Sequence, residues 1–418
     1  MQHLISLPIS LLVVFLEIAL LECPLVHASP SIFDSTTNTN TLPKPILDTF
    51  YENERKVESS WFFGALKSNR PEKRSNLNTD RNGSTFLWLP QDEYSGKTFF
   101  DQWDYFSDTD PTHGHVNYVN KSTAESKGLV SVTDDGKVIM KADHTTSLPK
   151  GVFRDSVRIS SQKLYTTGLF ILDLNTAPWG CAVWPAFWTV NRDWPWGGEI
   201  DIIEGVHDNE HNQVAWHTSG GCTLDYNAEY SGTLTTSDGR NHTDCDSRFD
   251  HTGCGITEWS RASFGPYFDA QGGGVFVMKW DEESIAVWSF YRAAIPKDIT
   301  QGTPNPGSWG KPSAVLESSQ CDISQHFNYH TIVFDITFCG DLGTGSYELA
   351  GCPGTCEERI MDPANFVNAT WSINSLKVYQ KQLVLGTVVG NTSNSVRAAV
   401  ASWWIGGLML YIAFMMWA

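Results

Sequence analysis

The chain has 418 residues, 41% hydrophobic and 18% charged, with 47 Asp and Glu against 29 Lys and Arg and a formal net charge of −18. That length supports a sizeable core. The acidity works against nucleic acid and anionic lipid as partners and leaves neutral or cationic ligands.

In chain order, residues 1–28, "MQHLISLPISLLVVFLEIALLECPLVHA", carry an apolar run from Leu4 to Leu16 and end on the small residue Ala28. That is the pattern of a secretory signal peptide cleaved after Ala28. Residues 29–84 are polar and mix charge with Asn, Ser and Pro, as in "NRPEKRSNLNTDRNGS". They read as a flexible arm, with a short helix around Ile46 to Arg55. The arm has no assigned role.

From Thr85 the texture changes. Runs rich in Val, Ile, Phe, Tyr and Trp alternate with Gly, Asn, Asp and Pro: "GKVIMKAD", "TGLFILDLN", "VFVMKW", "IAVWSFY", "HTIVFDITF" and "SLKVYQK". These predict strands, and the two runs flanking Asp281 to Ser284 predict a hairpin. No long segment has an amphipathic helical period. Residues 85–383 therefore predict one large all-β domain, most simply two packed antiparallel sheets. The polar, Gly-rich stretch from Thr218 to Glu258 predicts a long disulfide-held excursion of the kind that borders a cleft.

Residues 384–397 form a linker and residues 398–418 an apolar tail with no Lys or Arg beyond it. Small residues, spacer and apolar tail together predict glycolipid (GPI) attachment, with Ser393, Asn394 and Ser395 as candidate acceptors. The expectation is a secreted monomer held at the cell surface or cell wall, touching the membrane through that anchor.

Cys23 leaves with the signal, which leaves Cys181, Cys222, Cys245, Cys254, Cys321, Cys339, Cys352 and Cys356. An even number in a secreted chain predicts up to four disulfides, with the pairing open. The competing zinc reading of Cys352-Pro-Gly-Thr-Cys356 is disfavoured by the oxidising compartment. Sequons at Asn82, Asn120, Asn241, Asn368 and Asn391 suit surface glycosylation. No cluster has metal-ligand spacing and no Gly-rich phosphate loop occurs, so neither a metal nor a cofactor is expected.

The chemistry concentrates in "WGGEIDIIEGVH", Trp196 to His207, where Glu199, Asp201 and Glu204 crowd together. On a helix they would sit at about 0°, 200° and 140°, with Glu199 pointing away from the others. On a regular strand Glu199 and Asp201 share a face and Glu204 falls out of phase. A β-bulge at Ile202-Ile203 restores the phase. Glu199 and Glu204 then lie roughly 13 Å apart at Cα, at about 3.3 Å per residue. Inward-leaning side chains bring the carboxyls to about 5 Å, the separation of a retaining glycosidase. One Glu must be ionised to attack the anomeric carbon and the other must hold a proton, whose pKa the crowding raises. Asp201 is placed to hydrogen-bond the nucleophile.

"WPAFW" (Trp184 to Trp188), "WPWGGEIDIIEGV" (Trp194 to Val206) and "HTSGGC" (His217 to Cys222) resemble the fungal laminarinase-like enzymes of glycoside hydrolase family 16. The resemblance runs from about Tyr94 to Lys381. It implies a concanavalin A-like β-jelly roll of two curved sheets with a concave substrate cleft. It also implies retaining endo-cleavage of β-1,3- or mixed-linkage β-glucan, with Glu199 as nucleophile, Asp201 as its assistant and Glu204 as general acid/base. Trp188 and Trp194 are then candidate sugar platforms, since aromatic rings stack on sugar C–H faces. Trp259, His217 and Arg158 are further candidate substrate contacts. Two departures, His207 where the family often has Asn and Ala182 where it often has Gly, are placed near the cleft. A wall-glucan transglycosylase would use the same intermediate. A non-catalytic glucan-binding module is opposed by the complete acid trio.

Overall fold

The computed structural model describes residues 77–385 apart from 238, 250 and 251. The signal peptide, the arm up to residue 76 with its short helix, Asn391, the candidate attachment residues and the apolar tail lie outside the described residues.

Two antiparallel sheets form the all-β jelly-roll sandwich. The nine-stranded sheet follows the order Asn78–Thr79, Thr85–Ser95, Thr370–Leu383, Gly168–Thr176, Gly274–Trp280, Ser284–Tyr291 and Ala314–Glu317. Val138–Lys141 pairs with the Thr370–Leu383 strand beside this path and with Val130–Val132. The eight-stranded sheet follows Thr233–Leu234, Cys254–Thr257, Gln213–His217, Glu199–Glu204, Val183–Asn191, His330–Phe338, Arg158–Ser161 and Trp103–Tyr105. The predicted hairpin is present, with Trp280 opposite Ile285 and the Asp281 carboxylate accepting from the Glu283 and Ser284 N–H groups across the turn.

Period-two alternation builds the core. Phe170, Leu172 and Leu174 from one sheet meet Phe187, Phe334 and Ile336 from the other in one buried cluster. Leu169, Ile171, Val275 and Val277 point the other way, into a second cluster roofed by Ile295, Ile299 and Trp309. That roof explains why "TGLFILDLN" and "VFVMKW" read as continuous apolar runs: both faces of these strands are buried.

Two boundaries differ from the sequence reading. Asn78–Thr79 pairs with Thr85 and Phe86, so the end of the polar arm belongs to a sheet edge. Within the 218–258 excursion, Cys254–Thr257 joins the eight-stranded sheet beside Gln213–His217. The eight cysteines pair as Cys181–Cys352, Cys222–Cys321, Cys245–Cys254 and Cys339–Cys356. Cys352 and Cys356 go to different partners, so they do not form a shared thiolate site. Asn82, Asn120, Asn241 and Asn368 all lie exposed.

Phe334 sits directly under the site-bearing sheet, its ring against those of Phe99, Trp103, Phe187 and Trp371. Phe334→Ala should lower the unfolding free energy by about 3–5 kcal/mol, measured by chemical denaturation.

Candidate active site

The strand Glu199–Glu204 begins at a glycine that no other residue could replace cheaply. Gly198 has φ +82°, and a Cβ there would lie 2.5 Å from the His326 carbonyl oxygen. From that tight start the strand enters the middle of the eight-stranded sheet.

Its pairing with Val183–Asn191 runs Val190–Glu199, Thr189–Ile200 and Trp188–Asp201, then jumps to Phe187–Ile203 and Ala186–Glu204. Ile202 is the surplus residue, and the expected bulge is present. Glu199, Asp201 and Glu204 therefore stand opposite Val190, Trp188 and Ala186, on one face. Ile200, Ile202 and Ile203 are fully buried on the core side.

The three carboxyls have different surroundings. Glu204 is half-buried; Trp184 Nε1 donates to its Oε1 at 3.2 Å and Gln213 Nε2 to its Oε2 at 3.1 Å. Asp201 is buried, hydrogen-bonded to Glu199, and 3.3 Å from His217 Nε2. His217 is held in turn through Nδ1 by the Ser247 hydroxyl at 3.0 Å. Burial first, and then the Asp201 charge, raises Glu199 to about 8, opposed by His217 and by a hydrogen bond from Trp194. Burial, followed by the charges of Glu204 and Asp335, pushes Asp201 up as well. The sequence places the rise on the proton-donating Glu. The structure places it on the Glu199–Asp201 pair, with desolvation ahead of crowding as its cause.

A fourth acid completes the face. Asp335, on His330–Phe338, is buried and accepts from Trp188 Nε1 at 3.0 Å. Burial raises it to about 7, with Arg158 opposing. Sequence reasoning missed it, although alternation in "HTIVFDITF" puts Thr331, Val333, Asp335 and Thr337 on the face opposite the buried Ile332, Phe334, Ile336 and Phe338.

The candidate sugar contacts divide. Trp194 is half-buried against Glu199, and His217 stands beside Asp201. Trp188 is half-buried and carries the Arg158 guanidinium over its ring at 4.9 Å, with Phe106 on that guanidinium at 4.8 Å. Trp188 and Arg158 are therefore engaged with each other. Trp259 and Trp196 are exposed, at 65% and 57%. His207 and Ala182 do not face the cleft: both are fully buried, both have positive φ, and the Ala182 N–H donates to His207 Nδ1 at 3.1 Å. The departure from the family pattern is thus met inside the fold.

Glu199, Asp201 and His217 bring ligand-type atoms within 4.8 Å of one another, as do Asp80, Asp281 and Glu283. In the first set His217 Nε2 lies 3.3 Å from Asp201, and its Nδ1 is held by the Ser247 hydroxyl. In the second, Lys381 and Lys279 ammonium groups lie 2.7 Å and 2.9 Å from Asp80 and Asp281.

Residues 103–379 match the XgeA-like, catalytic GH16 domain. The chain is 42% identical over 298 residues to a probable endo-1,3(4)-β-glucanase of Aspergillus niger, covering 69% of this chain and 39% of that protein. It thus spans well under half the length of that relative. Laminarinase 16A from Phanerochaete chrysosporium, solved with β-glucans in donor and acceptor sites, is 40% identical with a TM-score of 0.66, covering 70% of this chain and 100% of its own. An elongating GH family 16 β-1,3-glucosyltransferase is 38% identical with the same TM-score and the same coverage.

Two outcomes follow from this geometry. Deleting Ile203 should turn Glu204 off the acidic face and lower turnover by about 100-fold or more, while circular dichroism retains the strand signal; full activity would contradict the bulge. Glu199 and Asp335 have raised pKa values in the folded state, so between about pH 4.5 and 8 the folded protein binds more protons than the unfolded chain. Thermal stability should therefore fall as pH rises through that window, and Glu199→Gln should flatten the slope in a calorimetric series.

Proposed function

Because the chain belongs to the XgeA-like catalytic domains of glycoside hydrolase family 16, we propose that it is a retaining endo-β-glucanase acting on β-1,3- or mixed β-1,3-1,4-linked glucan. The observation that carries this reading is the bulge at Ile202-Ile203, which puts Glu199, Asp201 and Glu204 on one face.

In the first displacement Glu199 attacks the anomeric carbon while Glu204 passes its proton to the departing glycosidic oxygen, leaving a covalent glycosyl-enzyme. In the second, Glu204 takes a proton from water and the hydroxide expels Glu199. Attack needs Glu199 ionised, so the proton that its raised pKa favours must leave it before the first displacement, and Asp201, hydrogen-bonded to it, is the proposed acceptor. His217, 3.3 Å from Asp201, adds a polar partner on the far side. The hydrogen bonds from Trp184 and Gln213 hold the Glu204 carboxyl in place for both proton transfers.

A neutral polysaccharide meets no repulsion from a chain of net charge −18. Trp194 and the exposed Trp259 are the proposed stacking surfaces, with Trp188 and Arg158 acting together beside Asp335. The proposed setting is a secreted monomer lipid-anchored at the cell surface or wall. A second reading, transglycosylation of wall glucan, uses the same intermediate with a sugar acceptor in place of water. The similarity to an elongating glucosyltransferase supports it.

Sizing the products from laminarin and lichenan separates the readings. Shorter chains support hydrolysis, and chains longer than the input support transfer. With Glu204→Ala acting on 2,4-dinitrophenyl β-laminaribioside, whose leaving group needs no proton, azide should speed turnover and yield the β-glycosyl azide, identified by NMR; the α-azide would rule out retention.

A further inference from the structure

A bulge leaves backbone groups that the neighbouring strand does not pair. Against Gln213–His217 the register runs Glu199–His217, Ile200–Trp216 and Asp201–Ala215, then jumps to Glu204–Gln213. At that jump a side chain takes the place of the ladder. Asn212, fully buried in the preceding loop, accepts from the Glu204 N–H through Oδ1 at 3.0 Å. Its Nδ2 donates to the Ile202 carbonyl at 2.9 Å. The other Nδ2 proton goes to Glu258 Oε1 at 3.1 Å.

These three partners fix the amide's orientation. A flip would set its oxygen against two acceptors and its NH2 against an N–H donor. The brace is itself held. Glu258 is 2% exposed, its other carboxyl oxygen accepts from the Ser289 hydroxyl, and its N–H donates to the Asn212 carbonyl at 2.8 Å. The Asn212 N–H donates to Ser263 Oγ at 2.9 Å. The side chain that closes the bulge therefore has no room to swing away, and the pair is too deeply buried to meet substrate.

We propose that Asn212, braced by Glu258, is a positioning residue for the proton donor: it replaces the missing ladder bonds at Ile202 and Glu204 and so fixes the backbone from which Glu204 reaches the glycosidic oxygen. This rests on the reading of Glu204 as general acid/base. Displacing a reacting group by about 1 Å can cost on the order of 100-fold in rate. The loss should depend on the leaving group, because a sugar oxygen needs the proton and a dinitrophenolate does not.

The test compares kcat/KM on laminarin with kcat/KM on 2,4-dinitrophenyl β-laminaribioside. Asn212→Ala should lose roughly 100-fold on laminarin and little on the aryl substrate. Glu258→Ala should behave alike, while Glu258→Gln, which keeps an acceptor for Asn212 Nδ2, should restore laminarin cleavage. The ratio of the two substrates cancels any change in folded fraction. Equal losses on both substrates, no loss on laminarin, or a Glu258→Gln as impaired as Glu258→Ala would overturn the proposal. Glu204→Ala run in parallel separates the two readings. If it shows the selective loss and Asn212→Ala does not, only the positioning role falls. If Glu204→Ala itself lacks the selective loss, the assignment of Glu204 falls and takes the positioning role with it.

Discussion

A strand turns successive side chains to opposite faces, so acids at its first, third and sixth positions share a face only if one residue is surplus. In "EIDIIE" that residue is an isoleucine, and the choice matters. Ile202 and Ile203 both enter the core, so the extra residue is anchored by burial on the side away from the cleft. Each fully buried isoleucine contributes about 1.5–3 kcal/mol. The catalytic spacing is thus secured by apolar packing beneath it, against Phe187 and Phe334, whose rings lie 4.6 Å apart.

The same face concentrates charge that water would otherwise screen. Glu199, Asp201 and Asp335 all have raised pKa values, with burial as the first cause in each case. A buried acidic cluster destabilises the fold unless protons or donors compensate it. Trp184, Trp188 and Gln213 supply donors to Glu204 and Asp335, and Arg158 supplies a cation. A hydrogen bond links Asp201 to Glu199.

Much of this was legible in the sequence because alternation and phase are local properties. The principal strands and the hairpin at Asp281 follow from runs of residues, and the bulge follows from counting positions between three acids. What was not legible depends on which strands become neighbours. Asp335 reaches the acidic face only because His330–Phe338 pairs with Val183–Asn191, the whole length of "HTIVFDITF" being in register. Asn212 and Glu258 are 46 residues apart in sequence and meet at the bulge. The pairing of eight cysteines, the roof over the outer face of the nine-stranded sheet, and the stacking of Arg158 between Trp188 and Phe106 are long-range in the same sense. The family resemblance placed His207 and Ala182 near the cleft, whereas both have positive φ and meet in the interior, the Ala182 N–H on the His207 ring.

The central claim is that the bulge presents Glu199 as the nucleophile, with Glu204 reserved for the proton. Trapping with a 2-deoxy-2-fluoro-β-laminaribiosyl fluoride, followed by proteolysis and tandem mass spectrometry, tests it most directly. The account predicts a single glycosyl adduct, on the carboxyl of Glu199. An adduct on Glu204 or Asp201 would contradict it.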